Sequence, residues 1–172
     1  MLIRPATEAD LPQILEIHNH AVRNLDAIWT EAEETIEDRR AWLLDRQNGG
    51  FTVLVAVEDD TVLGMASYGT YRSRSGYRKT IEHSIYLRED AQGRGVGKAL
   101  MEALIADARA KGFHLMVAVI DAKNTGSIAF HERFGFALAG TLPQAGFKHG
   151  KWLDQVNMVL LLNDDPAPPR GY

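Results

Sequence analysis

Apolar residues along the chain repeat at two periods, and the changes of period mark out the elements. LIRPAT reads as a short strand, and Thr7 as the N-cap of a helix in EADLPQILEIHNHAV, where Leu11, Ile14, Leu15 and His18 share a face. TIEDRRAWLLDRQ predicts a second helix capped by Thr35, with Ile36, Ala41, Leu43 and Leu44 among its apolar positions. FTVLVAVEDDTVLGMASYGTY reads as two strands turning at Glu58-Asp59-Asp60. TIEHSIYL alternates strictly: Ile81, His83, Ile85 and Leu87 fall on one face, Glu82, Ser84 and Tyr86 on the other. GVGKALMEALIADARAKG carries a helical stripe of Val96, Leu100, Ala103, Leu104 and Ala108, and Gly112 stops it. HLMVAVI is nearly continuous in apolar residues, as a strand buried on both faces is. NTGSIAFHERFG predicts a short helix ending at Gly135, and FALAGTL and DQVNMVLLL two closing strands.

The order β-α-α-β-β-β-α-β-α-β-β predicts a mixed sheet flanked by helices, an α/β or α+β fold. No repeat or linker divides it. A single domain over residues 1–163 is expected, with a Pro-rich tail over 164–172.

Composition narrows the classes. A chain of 172 residues, 45% apolar and 24% charged, has room for one domain with a proper core. The formal net charge of -4 argues against general electrostatic binding of nucleic acid. With no cysteine there is neither a disulfide framework nor thiol chemistry. MLIRPATEAD lacks the apolar run of a signal peptide, and no stretch approaches the roughly 18 apolar residues of a membrane span. A cytoplasmic protein is expected, with neither nucleic acid nor membrane as partner.

The stretch EDAQGRGVGKAL sets three glycines between a predicted strand and a predicted helix. Main-chain N–H groups at a helix start lack internal partners and sit in positive potential, so such a turn binds anions, phosphates above all. Arg94 and Lys98 can add charge. The turn equally reads as a strand-to-helix connection whose glycines serve geometry. A P-loop is excluded, because Ala99 follows Gly97-Lys98 and Gln92 holds the place of the first glycine. The dinucleotide fingerprint also fails, since Lys98 stands where its third glycine belongs.

Gln92-x-x-Gly95-x-Gly97 resembles the pyrophosphate loop of the GCN5-related N-acetyltransferases, and Asn124, Gly135 and Phe136 in NTGSIAFHERFGF match that family's later helix and strand. TIEHSIYL, SIAFHERFGF and GTLPQAGFKHGKWLD are similar to the branch acting on phosphinothricin and methionine sulfoximine. The resemblance implies a splayed, mostly antiparallel sheet, acetyl-CoA as co-substrate, a small amino-acid-like amine as acceptor, no metal, and a homodimer. It places Gln92, Gly93, Arg94, Gly95, Val96, Gly97 and Lys98 at the diphosphate, and main-chain groups of Ile85, Tyr86 and Leu87 along the pantetheine arm. Asn124 is expected at the arm or the diphosphate, as an N-cap, or both.

Acetyl transfer to an amine needs a proton acceptor, oxyanion stabilisation and a proton for the leaving thiolate. Pattern alone leaves Glu82 either a salt-bridged residue on a solvated face, with Arg72, Arg74 or Arg78 as partner, or a functional carboxylate. The resemblance makes it the catalytic base. His131 lies two helical turns after Asn124 on the same face, where a surface histidine is the common outcome. The resemblance makes it an acid or thioester-side donor, with histidine in the place where many family members carry tyrosine. Arg72, Ser73 and Arg74, with Glu82, His83 and Ser84, are implied on the acceptor side. Trp29, Tyr77, Lys148 and Trp152 are weaker candidates there. Acceptors of other kinds, protein N-termini or polyamines, stay open, as does a CoA-binding module without catalysis.

Overall fold

The computed structural model describes residues 1–165, 167 and 168. Much of the expected tail, 166 and 169–172, lies outside the described residues.

A seven-stranded sheet runs β1 (Leu2–Pro5), β2 (Val53–Glu58), β3 (Thr61–Thr70), β4 (Thr80–Leu87), β5 (Leu115–Asp121), β7 (Lys151–Leu161), β6 (Ala137–Lys148). Only β4 and β5 are parallel neighbours; every other pair is antiparallel. The helices are α1 (Leu11–Asn24), α2 (Ile36–Asn48), α3 (Val96–Ala110) and α4 (Thr125–Glu132). The α/β fold and mixed, mostly antiparallel sheet anticipated from the sequence are present.

Alternation in the strands divides the core in two. Val53, Val55 and Met65 face α1 and α2, packing with Leu11, Ile14, Ile17 and Leu43. Leu54, Ala66, Ile81, Met116 and Met158 face the other way, onto Leu100 and Leu104 of α3. A fully buried leucine such as Leu100 contributes roughly 1.5–3 kcal/mol by leaving water.

Local signals act as their chemistry predicts. The Thr35 hydroxyl accepts from Asp38 N–H at 3.2 Å, while the Asp38 carboxylate accepts from Thr35 N–H at 2.8 Å, a reciprocal cap. Asp59 and Asp60, at φ 46° and 62°, make the left-handed two-residue turn that suits the β2–β3 hairpin. Gly112, at φ 70°, ends α3.

Four expectations are corrected. Leu15 is only half-buried, and Ile17 takes its place on the inner face of α1. Ala41 and Leu44 face solvent, so α2 buries Leu43 and, unexpectedly, Arg39. Val119 is 37% exposed, because β5 is open on one side at that point. The last two strands are longer than read, meeting in a hairpin at His149 and Gly150, φ 47° and 68°. Bulges between Leu138 and Gly140 and between Leu142 and Gly146 break the alternation that would have shown β6 whole.

Candidate active site

The parallel pair β4–β5 is joined only over Thr80–Glu82 against Leu115–Val117. Beyond that the strands part. On its outer edge β4 stays paired with β3 out to Leu87, and β5 stays paired with β7 out to Asp121. The inner edges form a fork with main-chain donors and acceptors exposed along it, a surface that receives an added strand. A cleft of about 700 Å³ fills the fork. Its walls include Glu82 to Leu87 of β4, Ala118 to Asp121 of β5, the start of α4 and Gln92, Gly93 and Gly97 of the glycine turn.

At the wide end, Gly93 and Gly95 have φ of 73° and 80°, and a Cβ on either would meet nothing within 4 Å. Both the left-handed backbone and the open approach suit glycine. Among the described residues, no N–H from Gly93 to Lys98 finds a carbonyl in a turn or cap bond. This is an anion cradle at the start of a long helix, and a diphosphate fits its chemistry. The charged side chains are spent elsewhere: Arg94 donates to the Glu58 carboxylate at 2.5 Å, and Lys98 lies 3.8 Å from Glu102. Val96 is buried in the core, so only its main chain faces an anion. Asn124, which lines the cleft, caps α4, its side-chain oxygen accepting from Ser127 N–H at 3.0 Å.

The two faces of β4 differ. Glu82, Ser84 and Tyr86 stand toward α1 and α2; Ser84 Oγ lies 3.3 Å from Ser67 Oγ, and Tyr86 packs on the inner cluster there. Burial in the cleft pushes the Glu82 carboxyl above its ordinary value, while Arg46 and then Arg72 pull it back. Burial also pushes the Tyr86 phenol up to about 12. Arg72, Ser73 and Arg74 lie on the exposed β3–β4 loop outside the cleft wall, with the Arg72 guanidinium 5.1 Å from the Tyr71 ring.

His83 points the other way, into the α3 side, away from Glu82. Its Nε2 lies 3.2 Å from Nε2 of His131, and both rings are buried. The His131 Nδ1 lies 2.7 Å from the Ser127 carbonyl. A carbonyl only accepts, so Nδ1 carries the proton; in the neutral ring Nε2 then accepts from His83 Nε2–H. His83 Nδ1 is buried without a partner. Burial first, then His131, drives the His83 imidazole down to about 3, and burial lowers His131 as well. Both nitrogens of His131 are thus engaged inside the protein, Nδ1–H with the Ser127 carbonyl and Nε2 with His83. His131 and Ser127 both line the cleft, and the Ser127 hydroxyl lies 3.4 Å from Nδ1.

One side of the cleft is walled by Leu25, Ala27 and Trp29. The β6–β7 hairpin holds this loop in place. Buried Lys148 donates to the Leu25 carbonyl, His149 N–H donates to the Glu31 carboxylate at 2.6 Å, and Trp29 packs where a side chain on Gly146 would stand. Tyr77 and Trp152 are exposed, packed edge-on to Tyr71 and Phe147. Sequence reading missed Ser127 and Arg46, and only the i, i+3 spacing of Ser127 from Asn124 could have signalled the first. No cluster of metal-ligating side chains occurs among the described residues, and no helix there is long and apolar enough to cross a membrane.

The acetyltransferase (GNAT) family model matches residues 13–136. An L-methionine sulfoximine/L-methionine sulfone acetyltransferase of Pseudomonas aeruginosa is 47% identical over 168 residues, 97% of this chain and 98% of the relative. A putative acetyltransferase of Salmonella typhimurium, solved with its cofactor acetyl-CoA, superposes with a TM-score of 0.96 at 43% identity, covering 99% of both chains. A ribosomal-protein-alanine N-acetyltransferase of Brucella melitensis superposes with a TM-score of 0.93 at 46% identity, covering 94% of this chain and 99% of its own.

Proposed function

The chain belongs to the acetyltransferase (GNAT) family, and on that premise we propose that it moves the acetyl group of acetyl-CoA to the α-amine of a small amino acid of the methionine sulfoximine, methionine sulfone or phosphinothricin type. The observation that carries this reading is the fork: an exposed β4 edge leads from a carboxylate at its closed end to an anion cradle at its open end. The methionine sulfoximine/sulfone acetyltransferase, matched over nearly its whole length, supports the acceptor class.

Acetyl-CoA supplies the activated acetyl group. Main-chain groups of Ile85, Tyr86 and Leu87 bind its peptide-like arm, and the N–H groups from Gly93 to Lys98 bind its diphosphate, with Gln92 and Asn124 flanking. Glu82 takes a proton from the acceptor's ammonium, directly or through a water. The freed amine attacks the thioester carbonyl, a β4 N–H holds the oxyanion, the new C–N bond forms, and the C–S bond breaks. No acyl-enzyme on sulfur intervenes, since the chain has no cysteine. The departing thiolate takes up a proton on the α4 side, where Ser127 is backed by His131. Ser84 and the Arg72–Arg74 loop border the acceptor. Residues 1–163 form the catalytic domain. The exposed apolar residues of the β6–β7 hairpin, Leu138, Leu142, Phe147 and Trp152, support pairing with a second copy.

A thiol-release assay with acetyl-CoA tests the acceptor class. The panel is methionine sulfoximine, methionine sulfone, phosphinothricin, unmodified amino acids, spermidine and a peptide with N-terminal alanine. The sulfoximine and sulfone should give the highest kcat/KM. The ribosomal-protein-alanine enzyme favours a second reading, and turnover confined to the peptide would establish it instead.

A further inference from the structure

Gly69 of β3 lies directly opposite Glu82 of β4, so a side chain there would share the face of the Glu82 carboxylate. The space is filled instead by Arg46, reaching in from the last turn of α2. A Cβ on Gly69 would stand 2.4 Å from one guanidinium nitrogen and 2.5 Å from the guanidinium carbon. Gly69 is not among the residues with positive φ, so its backbone does not require glycine. What the missing side chain provides is a seat for Arg46.

The guanidinium's bonding capacity is largely unspent. Its ion-pair partner among the described residues is Asp45 at 3.5 Å; the Asp45 side chain is 76% exposed against 27% for Arg46. The Arg46 Nε is buried with no partner. No ion pair within 4 Å joins Arg46 to Glu82 among the described residues, yet of the charges acting on Glu82 it has the largest effect, ahead of Arg72. Arg72 stands in solvent, where salt screens it.

An α-amino acid carries its ammonium and carboxylate on one carbon. If Glu82 takes the ammonium, the acceptor's carboxylate comes close to a like charge, and only a cation beside Glu82 makes that placement favourable. We propose that Arg46, seated over Gly69, is a specificity-determining residue that receives the acceptor's α-carboxylate, inside the more exposed Arg72 and Arg74. The planar guanidinium takes a carboxylate through two parallel hydrogen bonds. The inference rests on the amino-acid acceptor reading above and deepens it. Esters, polyamines and peptide N-termini lack the carboxylate and lose this contact.

The test compares methionine sulfone with its methyl ester at saturating acetyl-CoA, in the wild type, R46M, R46Q and G69A. Melting curves and the KM for acetyl-CoA report folding in each. The ratio of kcat/KM for acid over ester is read in every protein, so the lower amine pKa of the ester cancels between them. Loss of a charged hydrogen-bonded contact should cut the ratio roughly 10- to 100-fold in R46M and R46Q, through a raised KM for the acid alone. G69A keeps the arginine but displaces it, and should give the same loss. An unchanged ratio in R46M and R46Q overturns the inference, as does an equal fall for acid and ester, which would mark a purely structural residue or one acting only on Glu82. An unchanged ratio in G69A overturns the seat. Wild-type turnover of neither compound overturns the acceptor reading, and this inference with it.

Discussion

Glu82 and His83 are consecutive in the chain and live in opposite surroundings. Glu82 stands in the cleft beside Ser84, partly open to solvent and within the field of two cations outside its wall, Arg46 and Arg72. His83 is buried against His131 and Phe136 at the wall of the same cleft, with one ring nitrogen unpartnered. Both are displaced from their ordinary titration by burial, and the direction matters more than the cause. Burial raises the carboxyl above its ordinary value against the pull of Arg46 and Arg72, whereas the imidazole is pushed so low that it stays neutral. One strand thus presents an exposed carboxyl on one face and a buried neutral imidazole on the other, and the difference lies in what packs on each.

The comparison is broken most severely at Glu82. Glu82→Gln should lower kcat by roughly 10²- to 10⁴-fold while acetyl-CoA affinity holds, read by thiol release beside calorimetric titration. Undiminished turnover would move the base elsewhere.

The next largest effect lies at the open end of the fork. Gly95→Val forces a branched residue to φ near 80°, a strain on the order of 1–3 kcal/mol, and crowds the cradle. The KM for acetyl-CoA should rise about tenfold or more, with the KM for the acceptor little changed; the reverse pattern would place the acceptor there.

His83 sharpens the buried side of the comparison. Its folded-state pKa of about 3 lies below the roughly 6.5 of an unfolded histidine, so the unfolded chain binds the extra proton. The stability that a neutral His83 contributes is complete above about pH 6.5 and is lost as pH falls toward 3. Denaturant midpoints followed across that window should fall less steeply for His83→Phe than for the wild type. Parallel curves would show that the ring is not held neutral. Asp10, bonded by Arg4 and held near 2, acts from about pH 4 downward, so the His83 contribution is read alone above that pH.

The smallest effect is expected at Lys148→Met, which removes a hydrogen bond to the Leu25 carbonyl and loosens the cleft wall that the account assigns to the acceptor. A rise of a few-fold in acceptor KM, with acetyl-CoA KM constant, should result; a change in acetyl-CoA KM alone would detach this loop from the acceptor.

What could be read in advance was local. The alternation of β4 told which side chains share a face with Glu82, and the glycine turn announced unpaired N–H groups, because both depend on a few consecutive residues. Contacts between distant segments were hidden. Nothing near Arg46 points to Gly69, nothing near His83 points to His131, and Arg94 gave no sign of its partner Glu58. The β6–β7 hairpin escaped notice for another reason: its bulges disturb the period that would have revealed it, and its turn is His-Gly rather than the usual Asn-Gly.

A crystal structure of the protein with acetyl-CoA tests the central claim most directly. The arm should lie along Ile85–Leu87 in the fork between β4 and β5, the diphosphate against the N–H groups from Gly93 to Lys98, and the thioester toward the Glu82 end. Acetyl-CoA bound elsewhere, with the fork closed or holding only solvent, would contradict the account.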